Sequence, residues 1–120
     1  MKQENKELLF KDLCARLPYR VKISVNDNIE SLQGINILDN VVEYGSFLSS
    51  DIEEVKPYLF PLSNMTEEQQ KEYQYITERW MYDSSYSIAD SIDWLNKNHF
   101  DYRNLINKNL AIDCTNLNIY

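Results

Sequence analysis

Leu9, Phe10, Leu13, Cys14 and Leu17 recur at intervals of three and four, with lysines, acids and Arg16 between them. That spacing puts one apolar stripe on an amphipathic helix over residues 3–16. Pro18 ends it, because proline disfavours helical geometry at the residue before it and donates no backbone hydrogen bond. The period then falls to two. Tyr19, Val21, Ile23 and Val25 alternate with Arg20, Lys22 and Ser24, the pattern of a strand with one wet face. Asn26-Asp27-Asn28 supplies a turn, since short amide and carboxylate side chains tolerate left-handed backbone. A second strand is predicted over Glu30 to Ile37, with Gly34 as a bulge or bend. A third is predicted over Val41 to Tyr44, ending at Gly45. Connections this short fit an antiparallel meander and exclude parallel crossovers.

Residues 46–65 show no clear period. Asp51 to Lys56 can form one helical turn. Pro57-Tyr58-Leu59-Phe60-Pro61-Leu62 is bracketed by prolines, so it reads as extended, and it is too apolar to lie in water; it is expected to cross the core edge or to add a short edge strand. A helical period returns after Thr66, which with Gln69 has the spacing of a capping box. Tyr73, Ile76 and Trp80 then share a face. Ser87 and Asp90 repeat the start signal before Ile88, Ile92 and Leu95, and Asn98 is placed to close that helix in a left-handed cap. Asp101 is placed to cap a short third helix through Tyr102, Leu105 and Ile106, with Asn109 ending it. Leu110 to Cys114 reads as extended.

These elements predict an α+β fold: an N-terminal helix, a small antiparallel sheet of three to four strands, and two to three C-terminal helices. Residues 1–120 read as a single domain, with helix and β-meander over 1–62 and a mainly helical half over 63–120. The 43% hydrophobic and 12% aromatic content is too apolar for an intrinsically disordered chain. For 120 residues, folding is expected to bury about two thirds of the extended chain's surface, enough for one core without metals or disulfides. No apolar run approaches the ~20 residues of a membrane span. Met1 to Glu7 lacks the apolar segment of a secretory signal, so the expected location is cytoplasmic.

The net charge of −7 divides as −3 over residues 1–60 and −4 over 61–120. Phosphate binding needs clustered Lys and Arg, and none is present, so neither nucleic acid nor a membrane is an expected direct partner. The charge reads as a solubilising surface, with mimicry of a nucleic acid toward a basic protein as the alternative. Cys14 and Cys114, a hundred residues apart, form no metal-ligand or redox spacing and read as small buried hydrophobes.

Candidate chemistry centres on His99, the one side chain whose ordinary pKa lies near neutrality. It could pair with Asp101, with either cysteine, or with the serines at 84, 85 and 87. No Gly-x-Ser-x-Gly elbow and no second histidine accompany it. Two glycines cannot build a phosphate-binding loop. The expected role of His99 is a hydrogen bond to backbone or to an acid at a helix joint. Nine tyrosines exceed what a small core holds comfortably, since each hydroxyl needs a partner; Tyr75, Tyr82, Tyr86 and Tyr120 fall off the apolar stripes, as rings that roof the core would, or as interface residues would.

Two phrases, Lys56-Pro57-Tyr58-Leu59-Phe60-Pro61-Leu62-Ser63-Asn64-Met65-Thr66-Glu67-Glu68 and Asp93-Trp94-Leu95-Asn96-Lys97-Asn98-His99-Phe100-Asp101-Tyr102-Arg103, resemble elements of a group of small phage and mobile-element proteins without an assigned activity. So does the ending Leu105-Ile106 with Leu110-Ala111-Ile112. Members of that group carry glycines where this chain has Asn104 and Asn109, and Asn is the usual substitute in left-handed backbone. The resemblance implies a compact α+β domain in a phage or mobile-element setting and transfers no catalytic residue. The function expected is therefore a non-catalytic, cytosolic protein-binding domain that needs no cofactor and no metal. An acidic inhibitor or regulator of a nucleic-acid-processing or defence enzyme is the alternative, and a hydrolase using His99 is a third. Trp94, His99, Phe100, Asp101, Tyr102 and Arg103 are the candidate interaction or structural residues.

Overall fold

Asn26 and Asp27 both hold left-handed φ, at 50° and 64°, in a computed structural model that describes residues 1–120. Two consecutive left-handed residues make the tight loop that matches strand twist, and here they join β1 (Lys22–Val25) to β2 (Asn28–Asn36). β2 pairs with β3 (Val41–Tyr44), and the register slips between Leu32 and Gly34. This is the bulge that Gly34 predicts. A Cβ there would meet the Glu43 side chain at 2.7 Å. β3 ends at Gly45, left-handed at φ 57°, and turns into β4 (Leu48–Asp51).

The sheet is larger than the sequence pattern predicts. It has seven strands and mixed direction, not three to four antiparallel ones, in the order β4-β3-β2-β1-β5-β6, with β7 also on β5. β5 (Val55–Pro61) is the proline-bracketed segment, and it is central, not an edge: it pairs antiparallel with β1 and parallel with β6 (Phe100–Asp101) and β7 (Ile112–Asp113). Alternate peptide groups of a strand face opposite edges. The edge of β5 facing β1 is that of Lys56 and Tyr58, so Pro57 turns its missing donor the other way and costs that ladder nothing. The second half of the chain is thus only partly helical. α2 (Glu67–Arg79) and α3 (Ile88–Lys97) form, both with the capping boxes their sequences encode. The expected third helix does not. Residues 102–110 make turns instead, with Asn104 and Asn109 left-handed, because Phe100 and Asp101 are drawn into the sheet beside Phe60 and Pro61.

α1 (Gln3–Arg16) lays Leu9, Phe10 and Leu13 on the sheet, where they meet Val21, Ile23, Leu32, Val42, Val55 and Leu59. Leu105 joins this main core. Trp94, Leu95 and Phe100 form a separate cluster, with Tyr73 and Ile76 of α2 packed against it. Two expectations about α1 fail. Cys14 is exposed, and Arg16 is fully buried. The inward face runs through Leu9, Asp12, Leu13 and Arg16, at i, i+3, i+4 and i+7, and two of its four members are charged.

Candidate functional site

The α3–β6 joint carries the candidate residues, and α1 closes over it. Arg16, fully buried, donates from Nη2 to the Phe100 carbonyl at 2.7 Å and from Nε to Asp12 Oδ2 at 2.8 Å. The other oxygen of Asp12 accepts from Arg103 at 2.9 Å, and Arg103 also donates to the Tyr102 hydroxyl at 2.8 Å. That hydroxyl donates in turn to Asn96 Oδ1. The Arg16 and Arg103 guanidiniums lie 5.2 and 4.6 Å from the centre of the Tyr102 ring, within cation–π range. One carboxylate thus holds two arginines across 91 residues of sequence. Asp12 and Arg16 were not singled out in the sequence, although their i,i+4 spacing on the leucine face was readable there.

His99, not Asn98, takes the left-handed position after α3, at φ 63°. Its carbonyl accepts from Phe60 N at 2.8 Å. The ring does not pair with Asp101. It stacks on Tyr120 with centroids 3.6 Å apart and planes within 9°, and its Nδ1 has no protein partner. Burial, then the Arg16 charge, lowers its pKa to about 4, so the ring is neutral at physiological pH. Asp101 is buried, with its carboxylate occupied by Leu105 N and Ile106 N, both at 2.9 Å. It caps the turn after β6, as expected of it, without a helix behind it. Burial and then Asp113 push the Cys114 thiol up to about 11, far from the thiolate a nucleophile needs. No three His, Cys, Asp or Glu side chains converge to hold a metal ion.

The rings around this joint form a continuous run. Trp94 stacks on Tyr73 at 5.4 Å and on Phe100 at 5.7 Å, and Phe60 lies 6.0 Å from Phe100 and 5.9 Å from Tyr120. The Tyr120 hydroxyl accepts from Lys22 N at 2.9 Å and donates to the Tyr58 carbonyl at 2.8 Å. In the register Ser24↔Lys56, Lys22 and Tyr58 would be the next directly bonded pair. Tyr120 stands inside that rung of the sheet. Burial raises its pKa well above the ordinary phenol value.

A second region has the opposite character. Phe47, in the three-residue loop between β3 and β4, is wholly exposed and left-handed at φ 68°. Left-handed backbone costs a residue with a Cβ roughly 1–2 kcal/mol, and an exposed phenylalanine gains nothing from burial. Leu48 beside it is half exposed. An open groove between this hairpin and β2 is lined by Gln33, Glu43, Tyr44, Phe47 and Leu48. β4 ends the sheet order. Ile52 N donates to Asn40 O, so Leu48 and Ser50 face β3, while the peptide groups of Ser49 and Asp51 point outward. From Ile23 to Val55, a span covering β2, β3 and β4, the chain has seven acids and no Lys or Arg. Division of the charge into halves hides this concentration. A third exposed set, Tyr75, Trp80, Met81, Tyr82 and Ile88, lies where α2 turns into α3; Trp80 falls outside the packed face predicted for it, while Tyr73 and Ile76 lie on it.

No family model, no curated protein and no solved structure matches this chain. No helix is long and apolar enough to cross a membrane.

Proposed function

We propose that this chain is a non-catalytic protein-binding domain that works in the cytosol of a bacterium carrying a phage or mobile element, and that the β3–β4 hairpin is its contact surface. One observation carries the reading: Phe47 stands wholly in water in a backbone conformation that penalises it. A residue that is strained in the free protein and gains nothing there from burial is accounted for by a partner that covers it, and buried aromatic anchors dominate interface energetics. The joint at His99 supports the same reading from the other side. The Asp101 carboxylate is occupied by two backbone amides, the His99 ring is neutral, stacked and unpaired with any acid, and the two polar atoms of the joint left without a protein partner, Arg16 Nη1 and His99 Nδ1, are buried. The acid-only span from Ile23 to Val55 favours a second reading, an acidic inhibitor or regulator of a nucleic-acid-processing or defence enzyme, whose basic surface that span would meet.

The test is photo-crosslinking in the native cells, with a benzophenone amino acid at position 47 and, as control, at Leu117, an apolar residue that is half exposed. The expected result is one discrete crosslinked protein from position 47 and none from position 117. Equal patterns from both positions, or no adduct from 47, would overturn the reading.

A further inference from the structure

We infer that the free edge of β4 receives an extended, Lys- or Arg-rich segment of the partner, which adds to the sheet as a further strand. This rests on the protein-binding reading and names the partner's chemistry. The edge itself supplies the first argument. Sheets ordinarily blunt an exposed edge by keeping it very short or with charge, proline, a bulge or a covering element; β4 is four residues long and its one charge, Asp51, does not repel a basic segment. Leu48-Ser49-Ser50-Asp51 has neither Lys nor Pro and pairs with β3 in unbroken register. The outward N–H and C=O groups of Ser49 and Asp51 are an open ladder, the feature used when a peptide adds to a sheet.

Charge selects the occupant. Of the seven acids between Ile23 and Val55, only Glu53 is ion-paired, with Lys6 at 3.3 Å and the Met1 amine at 3.1 Å. The other six, Asp27, Glu30, Asp39, Glu43, Asp51 and Glu54, have no cationic partner within ion-pairing distance. A second copy of this chain would set one such surface against another, and a nucleic acid or anionic membrane would add more like charge. A cationic strand alone is complementary.

The register sets its pattern. Ser49 and Asp51 share the outer face with Glu43, while Leu48 and Ser50 share the inner face with Val42 and Tyr44. Alternate residues of an added strand fall on alternate faces. Its basic residues therefore lie on the outer face beside Glu43 and Asp51, and its apolar residues lie on the inner face beside Leu48, with Phe47 contacting the segment at the end of the edge.

The experiment titrates the ¹⁵N-labelled full chain with an end-blocked octapeptide alternating Lys and Val, against versions with Gln or Glu in place of Lys. The expected result is slowed amide exchange at Ser49 and Asp51 with the Lys peptide. Binding of the Gln peptide should be about tenfold weaker, the sum of a few exposed ion pairs, and the Glu peptide should not bind. Added salt should weaken the Lys peptide toward the Gln value. Glu43→Lys should weaken Lys-peptide binding while the amide spectrum away from β3 and β4 stays unchanged. Protection elsewhere in the chain or no protection at Ser49 and Asp51 would overturn strand addition, and equal binding of the Lys and Gln peptides would overturn the basic occupant. If position 47 crosslinks a discrete protein while the Lys peptide leaves those two amides untouched, strand addition falls and the protein-binding reading stands. If neither occurs, both fall.

Discussion

Around Arg16 the molecule puts charge inside and covers it with rings; at the β3–β4 hairpin it puts a ring outside and surrounds it with charge. Both arrangements are costly, and they are costly in different currencies. A buried ion pair often stabilises no more than well-packed apolar residues of its size, yet breaking it strands a charge. The Asp12–Arg16–Arg103 group therefore acts less as a source of stability than as a lock on one arrangement, since Arg16 reaches a single carbonyl of the α3–β6 joint. An exposed, left-handed phenylalanine locks nothing within the molecule. Its cost falls on the free protein and is recoverable only in a complex.

The largest effect expected separates these roles. Asp12→Ala leaves a fully buried Arg16 without its carboxylate and should destabilise the fold by about 3–5 kcal/mol in denaturant unfolding. Asp12→Leu combined with Arg16→Met removes the two fully buried charges, leaves unpaired only Arg103, which reaches solvent, and should recover much of that loss. A double variant as unstable as the single one would show that the bond to Phe100 O, not the stranded charge, is what matters.

His99 should report on the same region through pH. Its folded pKa of about 4 lies below the ordinary 6.5, so the fold favours the neutral ring. That contribution is complete above pH 6.5 and drains away as pH falls toward 4. After allowance for partial exposure it amounts to about 1–2 kcal/mol. His99→Asn, which suits left-handed backbone, should flatten that part of the stability–pH curve. An unchanged slope would place the titrating group elsewhere.

Tyr120→Phe removes the hydroxyl between Lys22 N and Tyr58 O while keeping the stack on His99. The expected loss is about 1 kcal/mol, with faster exchange of the Lys22 amide. The smallest effect has the opposite sign. Phe47→Gly relieves the left-handed penalty against glycine's larger entropy loss, for a net gain of about 0.5–1 kcal/mol. The same change should abolish recovery of the partner captured from position 47, read with a crosslinker at Leu48. A loss of stability would mean that the ring packs within its own chain.

Local rules were the legible part of this fold. The Asn26-Asp27 loop, the Gly34 bulge and the two capping boxes depend on residues a few positions apart, and all lie where the sequence puts them. The small antiparallel sheet did not survive, because β6 and β7 are two residues long and exist only where distant segments meet β5. The candidate residues did gather at one joint, but what organises them is Arg16, which a polar-means-exposed rule assigned to water. Asp101 kept its capping role because that bond is local. The partner of His99 is 21 residues away in sequence, and no spacing rule reaches it.

β5 has a consequence for the order in which the chain assembles. The meander from β1 to β4 closes through loops of two to four residues, whereas β5 gains its parallel neighbours only when segments about 40 and 54 residues further on return to it. Closing long loops is slow, so Val55-Lys56-Pro57-Tyr58-Leu59-Phe60-Pro61 spends an interval as an apolar strand with open hydrogen-bonding positions. Such a segment is a template for aggregation. Its two prolines cannot donate to an intruding strand. They guard the site until residues 100–114 arrive, and in the finished sheet they cost the β1 ladder nothing.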